Sequence, residues 1–351
     1  MADVINFRSD TQSLPTEQMR EAMARAELGD ETYREDPTVR RLEARATELT
    51  GTAAALLVLS GTMANLVAVM THCRPGDELL APEAAHLLTS EAGGVCRVAG
   101  VLPTVVRTAR GHIVPAAVEA AAADGDLMRP ASRLLWIENT HNRAGGSVLG
   151  PQAYDRLVVA AQARRLAVHV DGARLPNAAV ASGVPIARLT AGADSVYLDF
   201  TKALACPMGA VLCGSEAFVA EAVRHRRVLG GGMRQAGVIA AAALVALDTL
   251  LERIAQDHEV AGLIAAELAA SDYFDVDPEQ VETNFVLVDT TRLGGAVEVA
   301  ARLAAAGVLV SVRPPSQLRL VTYLQTGATE AREAVRRMNR VAREMASEAT
   351  R

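Results

Sequence analysis

A lysine stands between two apolar segments, at a point where the chain could use its amine for chemistry. The segment LDFTKALACPMGAVLCG, residues 198–214, reads as two short strands around a bend, and Lys202 follows the first of them. A lysine is almost never fully buried without a partner. Two interpretations are open at this point: a solvated loop lysine, or an amine kept for covalent chemistry with a carbonyl compound.

The elements that position this lysine help to decide between the two. Apolar segments typical of strands alternate with helical patterns from residue 54 to residue 214. Such alternation predicts a mainly parallel sheet with helices on both faces, in which ligands bind beyond the carboxyl ends of the strands. Four predicted strand ends carry reactive groups, and this convergence favours a chemical role for Lys202. The groups are Ser60-Gly61-Thr62, the run ENTHN at 138–142, Asp171-Gly172-Ala173-Arg174, and Lys202 itself.

The patterns also predict how the chain is divided. Strands are predicted at 54–59, 78–82, 133–138, 166–171, 195–200 and 210–214, and helices at 16–28, 38–51, 60–73, 151–164 and 174–182. A long helical stretch from about 235 to 270 leads to a smaller unit, with strand-like FDVDP, NFVLVD, VLVSVRPP and LRLVTYL and with helices near 294–307 and 328–347. We therefore expect a large domain over residues 1–245, including the N-terminal segment, and a smaller C-terminal α/β domain over residues 246–351.

Composition and charge exclude several classes of protein. Half of the 351 residues are apolar and 3 % are aromatic, so the core must consist mainly of Ala, Val and Leu. A net charge of −6 without a long basic run argues against a nucleic-acid partner. The longest apolar run, 236–247, is shorter than the roughly 20 residues that span a bilayer, and no signal segment opens the chain. We expect a soluble, cytoplasmic protein without a membrane partner.

The four cysteines do not indicate a metal site. They stand at positions 73, 96, 206 and 213, form no CxxC pair and match no zinc spacing. We expect free, buried thiols and no metal.

An amine that bonds covalently to an aldehyde cofactor needs supporting groups. Pyridoxal phosphate requires an anion at its pyridine nitrogen, a cradle for its phosphate and a group against its ring. Asp171, at the end of an apolar strand, is a candidate for the anion, although it could instead cap the following helix. Ser60-Gly61-Thr62 could bind the phosphate, because free N–H groups at a helix start favour an anion. His86 and His141 lie near strand ends, where each could be structural or could carry protons.

Eight motifs in chain order resemble those of the threonine aldolases, a family with the aspartate-aminotransferase-like fold type I of pyridoxal-phosphate enzymes. The resemblance extends across nearly the whole chain, and it implies that α/β fold, with a mainly parallel sheet in the large domain. The motifs are FRSDT (7–11), GDETYREDPTVRRLE (29–43), LSGTMANL (59–66), ENTHNRAGGSVL (138–149), HVDGARLPNA (169–178), TKALACPMGAVL (201–212), LGGGMRQAG (229–237) and RLVTY (319–323).

The resemblance also implies a role for each matching residue. Lys202 would carry the covalent link to pyridoxal 5'-phosphate, Asp171 would hold the pyridine nitrogen, and His86 would stack on the ring and take part in proton transfer. The remaining roles concern the phosphate, the substrate and a second subunit. Gly61 and Thr62 would bind the phosphate, and Arg227 and Arg234 would bind the phosphate of a neighbouring subunit. Arg174 would bind the O3′ side of the ring or the substrate carboxylate, and Ser9 and Arg319 would also bind the substrate carboxylate. Tyr33 would contact the substrate, and His141 would lie by its β-hydroxyl. A homo-oligomer, dimer or tetramer, follows from the shared phosphate.

The chain departs from the family pattern just after the lysine. The family run is glycine-rich, close to SKGLGAPVGS, and here Ala203 and Ala205 stand at the two glycine positions. Alanine is strained there if the backbone needs a positive φ. Asp199 adds a carboxylate close to the lysine. The further departures bear on substrate choice: Cys206 and Met208 replace smaller residues, Tyr323 stands where histidine is frequent, and Arg34 stands where glycine is frequent.

The sequence thus predicts a carbon–carbon lyase that cleaves an L-3-hydroxy-α-amino acid, of the threonine or allo-threonine type, into glycine and an aldehyde. His141, His86 or a bound water would take the hydroxyl proton. The alternative is a β-eliminating lyase or a transaldolase, since either would use the same cofactor residues. A third hypothesis is a pyridoxal-phosphate-binding protein without catalysis, serving as a sensor or partner module.

Overall fold

The computed structural model describes residues 4–349. The strands are β1 (Ile5–Asn6), β2 (Ala54–Val58), β3 (Glu78–Pro82), β4 (Leu102–Val106), β5 (Ser132–Glu138), β6 (Ala167–Asp171), β7 (Ser195–Asp199), β8 (Ala210–Gly214), β9 (Phe285–Asp289), β10 (Val308–Leu309), β11 (Ser311–Arg313) and β12 (Gln317–Val321). The helices are α1 (Glu17–Ala24), α2 (Pro37–Thr50), α3 (Gly61–His72), α4 (His86–Thr89), α5 (Gly94–Arg97), α6 (Pro115–Ala121), α7 (Pro151–Ala163), α8 (Leu175–Ser182), α9 (Glu216–Val228), α10 (Gly237–Thr249), α11 (Ile254–Ala269), α12 (Ala296–Ala305) and α13 (Ala328–Ala349).

The larger of two compact units contains a seven-stranded sheet. This unit comprises residues 15–144 and 148–251, and its strand order is β2-β8-β7-β6-β5-β3-β4. Strands β4, β3, β5, β6 and β7 run parallel, whereas β8 is antiparallel to both of its neighbours. The mainly parallel sheet predicted from the sequence is confirmed. The two apolar strands predicted around Lys202 are β7 and β8, which pair with each other.

Helix α3 packs on this sheet and begins where β2 has just ended. Its apolar face, with Val67, lies in one cluster with Leu56 of β2, Leu212 of β8 and Val219 of α9. Ser60 Oγ accepts a hydrogen bond of 3.2 Å from Met63 N and so caps the first turn. The helix therefore directs its N-terminus toward the carboxyl end of the sheet.

The smaller unit is formed by residues 4–14, 145–147 and 252–349. Strands β11, β12 and β9 form an antiparallel sheet, and β1 pairs in parallel with β10. The N-terminal segment, residues 4–14, belongs to this unit, so its predicted place in the large domain is wrong. Ile5 N donates to Gly307 O at 2.9 Å, Phe7 N donates to Leu309 O at 2.7 Å, and the Phe7 side chain is fully buried in the core of this unit.

The division within the long helical stretch also differs from the expected one. The stretch consists of α10 and α11, which are separated at residues 250–253, and the units divide between 251 and 252. A boundary at 245 would have cut α10, whose Ala243 and Ala246 are buried within its own unit. The predicted strand FDVDP is wrong as well, because that segment forms only one isolated bridge, from Asp275 to Asp289. Every helix within residues 4–349 is too short or too polar to span a bilayer.

Candidate active site

Three carboxylates end three neighbouring strands of the large sheet. Glu138, Asp171 and Asp199 are the last residues of β5, β6 and β7, which lie side by side, and all three are buried. Since the strands are parallel, their carboxyl ends share one edge of the sheet. Buried carboxylates need cations or hydrogen-bond donors, so this edge of the sheet can bind a positively charged group.

Lys202 supplies positive charge at this edge, and it is the only lysine among the 351 residues. Its Nζ lies 2.6 Å from Asp199 Oδ2, and the two side chains are 16 % and 3 % exposed. The interpretation of Lys202 as a solvated loop lysine is therefore wrong. Asp199, which the sequence marked only as a departure from the family pattern, is its direct partner.

Gly61 and Thr62 form the first turn of α3 at the same edge. A Cβ atom at Gly61 would lie 2.9 Å from the Tyr197 hydroxyl and 3.1 Å from Asp199 Oδ2, so a larger residue would crowd both. The first N–H groups of an α-helix have no acceptor within the helix, and the helix dipole favours an anion beside them. This turn can therefore bind a phosphate.

Asp171 is a buried carboxylate without a cation partner. It is 1 % exposed and accepts hydrogen bonds from Asn65 Nδ2 at 3.0 Å and from Ala173 N at 3.1 Å. No arginine or lysine within residues 4–349 forms an ion pair with it. The alternative that Asp171 caps the next helix is wrong, because the N-cap of α8 is Arg174. A protonated pyridine nitrogen fits this carboxylate, since it would provide the missing positive charge.

His86 lies close to Asp171 through a short hydrogen-bonded chain. Its Nδ1 is 2.8 Å from Glu91 Oε1, and the same oxygen accepts a bond of 2.7 Å from Asn65 Nδ2. The hydrogen bond to Glu91 raises the pKa of His86, while burial acts in the opposite direction. Ligand atoms of His86, Glu91 and Asp171 lie within 4.8 Å of one another, so the three groups together can balance a cation.

Glu138 and His141 form the next part of the site. Glu138 Oε2 is 4.0 Å from His141 Nε2, and burial, together with the charge of Asp171, raises the pKa of Glu138 to about 7. His141 Nδ1 accepts a hydrogen bond of 3.2 Å from Ala144 N, so the proton of the neutral ring lies on Nε2. The ring is held against Gly111, where a Cβ atom would lie 2.2 Å from His141 Cγ.

Other predicted site residues of the large unit form a second, exposed group. Arg234 donates to the Thr32 hydroxyl, and the charges of Arg234 and Arg227 help to lower the pKa of Asp30, after the hydrogen bonds from Thr32. Tyr33, next to Thr32, is 72 % exposed. This group lies on the surface. Arg174, by contrast, is buried just before α8.

Ser9 and Arg319 lie in the smaller unit. Ser9 Oγ accepts hydrogen bonds from Thr11 N at 3.2 Å and from the Thr11 hydroxyl at 2.9 Å. Arg319 Nη2 donates to Arg8 O at 3.1 Å, and its guanidinium carbon lies 5.4 Å from the centre of the Phe285 ring. Both can offer hydrogen bonds to a carboxylate, but they also take part in the local structure of this unit.

Sequence reasoning missed four residues of the Lys202 site. Asn65, Glu91 and Tyr197 surround Asp171, and Glu138 was noted only as part of a motif. Two signals could have revealed more. An asparagine in the otherwise apolar helix GTMANLVAVM needs a hydrogen-bond partner. The chain has many arginines and a single lysine, which indicates that this lysine has a role that arginine cannot fill.

Comparison with known proteins identifies the class to which this fold and site belong. The model of the beta-eliminating lyase family matches residues 6–291. Among solved structures, the threonine aldolase of Leishmania major has a TM-score of 0.83 at 20 % identity, over 96 % of this chain and 99 % of that one. The fold is therefore the aspartate-aminotransferase-like fold type I.

Sequence relatives give the family within that class. The chain is 40 % identical to the probable low-specificity L-threonine aldolase 2 of Arabidopsis thaliana, over 92 % of each chain. It is 36 % identical to the low specificity L-threonine aldolase of Escherichia coli (strain K12), over 94 % of this chain and 97 % of that protein. The protein belongs to the threonine aldolase family of lyases, as the sequence motifs predicted.

Proposed function

We propose that this protein is a pyridoxal-phosphate-dependent aldolase that cleaves L-3-hydroxy-α-amino acids of the threonine type to glycine and an aldehyde. The observation that carries the proposal is the single lysine of the chain, which follows β7 at the same sheet edge as Asp171, a buried carboxylate with no arginine or lysine partner within residues 4–349. Relatives named low-specificity L-threonine aldolases support the reaction type.

The residues at the sheet edge match the parts of the cofactor. Lys202 would bind it covalently, Asp171 would hold its pyridine nitrogen, and the first turn of α3 at Gly61 and Thr62 would bind its phosphate. His86, half-buried beside Glu91, would lie against the ring. When bound, the cofactor supplies an electron sink for the pair released from the Cα–Cβ bond.

Glu138 and His141 are proposed to handle the proton of the substrate hydroxyl. The proton on Nε2 makes neutral His141 a hydrogen-bond donor in this structure. To act as a base at Nε2, the ring must first adopt the other neutral tautomer, with its proton on Nδ1. Glu138, at 4.0 Å and with a pKa raised to about 7, can then accept the proton that Nε2 takes from the hydroxyl. His86 remains the alternative base, with Glu91 as the hydrogen-bond partner of its ring.

The substrate carboxylate is proposed to bind Ser9, Arg174 and Arg319, with Tyr33 as a further contact. Arginine guanidinium groups suit this role because they can bind a carboxylate through two hydrogen bonds. The substitution of each of these residues by alanine should raise KM for threonine more than it alters cofactor binding.

We further propose a homo-oligomer whose subunits share their sites. One surface carries four exposed residues: Arg227, Arg234, Tyr33 (72 % exposed) and Val228 (75 % exposed). Either arginine could reach the phosphate of a neighbouring copy. Arg234→Ala should then weaken both the assembly and cofactor binding, as measured by sedimentation with and without the cofactor. The cytoplasmic location stays a prediction from the sequence.

The decisive experiment incubates the purified protein and cofactor with threonine, allo-threonine and other 3-hydroxy amino acids. Release of glycine and an aldehyde supports the proposal, whereas ammonia and a keto acid would point to β-elimination. Cofactor binding without any product would indicate a binding protein. Borohydride reduction and peptide mapping must label Lys202, and Lys202→Ala must abolish the label and the turnover. Because the chain has no other lysine, the only competing amine is the N-terminal one.

A further inference from the structure

The partner of Lys202 is held in a fixed orientation. Asp199 Oδ1 accepts hydrogen bonds of 2.6 Å from both the backbone N and the hydroxyl of Thr201. The other oxygen, Oδ2, is thereby directed to Lys202 Nζ at 2.6 Å. Asp199 is only 5 % exposed, so these hydrogen-bond donors, more than water, set the orientation of its carboxylate.

This ion pair lies against the first turn of α3. Asp199 Oδ2 is 3.1 Å from the position that a Cβ atom of Gly61 would occupy, and the Tyr197 hydroxyl is 2.9 Å from it. The absence of a side chain at Gly61 is therefore required by the Asp199 carboxylate and Tyr197, independently of any phosphate. Asp171 and Glu91 add negative charge around Tyr197, and Lys202 is the cation paired with Asp199.

We propose that Asp199 is a positioning residue that binds the Lys202 ammonium and holds it beside Gly61 whenever this lysine is not covalently attached. A largely buried ammonium without a counter-ion would be strongly unfavourable, and Asp199 provides the counter-ion. The free amine is thus held in one place by its contact with Asp199 Oδ2. This inference rests on the proposed function, in which Lys202 alternates between an attached and a free state.

The test measures the reactivity of the free amine in cofactor-free protein. Acetic anhydride at a fixed pH of about 7.5 acylates unprotonated amines, and the peptide that contains Lys202 is quantified by mass spectrometry against the N-terminal peptide. Asp199→Asn removes the charge at nearly constant shape, and we expect the acylation rate of Lys202 to rise about tenfold or more, because the amine loses the carboxylate that binds it. Asp155→Asn, which breaks an exposed ion pair with Arg188, is the control and should leave the rate unchanged.

Equal rates in the wild-type protein and Asp199→Asn would overturn the inference. If Asp199→Asn does not fold, thermal unfolding of Lys202→Met and of the double variant decides the question. Lys202→Met alone should lower the melting temperature by leaving a buried carboxylate unpaired, and the addition of Asp199→Asn should restore it. A double variant no more stable than Lys202→Met would contradict the pairing. A failure of the proposed function would be seen in a different measurement: the wild-type protein would not bind pyridoxal phosphate or would not release glycine.

Discussion

The backbone N–H of His86 donates a hydrogen bond of 2.7 Å to Glu138 Oε2. The carboxylate at the end of β5 thus holds the first residue of α4, which lacks a side-chain cap of its own. The other oxygen, Oε1, accepts from Asn142 N at 2.8 Å. One buried carboxylate therefore organises the loops that carry both histidines of the site.

The first prediction concerns the pH dependence of stability that Glu138 imposes. Its pKa of about 7 in the fold lies above the ordinary 4.5, so the folded state binds its proton more tightly. Stability from this group is present below pH 4.5 and is lost as the pH rises toward 7, by up to about 3 kcal/mol. Glu138→Gln should remove this dependence, as measured by urea unfolding of cofactor-free protein at pH 5 and pH 7.5. The exposed Glu344→Gln should behave like the wild type, and parallel curves for Glu138→Gln and wild type would contradict the prediction.

A second prediction concerns the two histidines of the site. His141→Ala should lower turnover of threonine about 100-fold or more while the protein keeps its cofactor absorbance. His86→Ala should instead change the cofactor spectrum. Gly111→Ala is an independent check, because its new methyl group would displace the His141 ring and should lower turnover in the same way. Wild-type activity in His141→Ala would leave His86 or water as the base.

The third prediction concerns a hydroxyl in the core of the larger unit. Ser195 Oγ lies 2.7 Å from both His72 Nε2 and His169 Nδ1. Ser195→Ala should lower the free energy of unfolding by about 1–3 kcal/mol, because two buried ring nitrogens lose their partner. The control Ser347→Ala, at an exposed position of α13, should change it by less than about 0.5 kcal/mol.

The same two rings should make the fold sensitive to acid. Burial lowers the pKa of His72 to about 4 and that of His169 well below its ordinary value. Both rings are therefore neutral in the fold, and the stability they confer is complete above pH 6.5 and is lost as the pH falls toward 4. Urea unfolding between pH 4 and pH 7 measures this loss, and a smaller pH dependence in His72→Gln than in wild type is expected.

The fourth prediction uses the two alanines that replace family glycines. Ala205 has a φ of +54°, a conformation that costs an alanine about 1 kcal/mol. Ala203 is not among the non-glycine residues with a positive φ. Both methyl groups are buried, so Ala203→Gly and Ala205→Gly lose similar contacts. Ala205→Gly should therefore be the more stable of the two variants by about 1 kcal/mol in chemical denaturation. Equal stabilities would mean that position 205 tolerates alanine without strain.

Much of the site was predictable because parallel strands bring their carboxyl ends together wherever they occur in the chain. Asp171, the turn at Gly61 and Lys202 were identified on that basis alone. Asn65 was not identified, because its hydrogen bond to Asp171 joins residues 106 positions apart and no local pattern indicates which residue is its partner. The strand β4 was missed for a different reason: its sequence LPTVV begins next to a proline, and its residues are partly exposed at the sheet edge.

The N-terminal segment shows the limit of local patterns most clearly. Its strand β1 has two residues, too few to display a period, and its partner β10 is equally short. Hydrophobic periodicity predicts an element only over several residues. The pairing of Ile5 with Val308 thus depends on tertiary structure, and the N-terminal segment was expected in the wrong unit as a result.

That pairing has a consequence for the order in which the protein folds during synthesis. Val308 is synthesised roughly 300 residues after Ile5, which takes about 15–60 s at usual rates of translation. Throughout this interval the apolar side chains of Ile5 and Phe7 have no partner strand. The nascent chain therefore exposes these apolar side chains until Val308 has been synthesised, and its yield should depend on chaperones that bind exposed apolar segments.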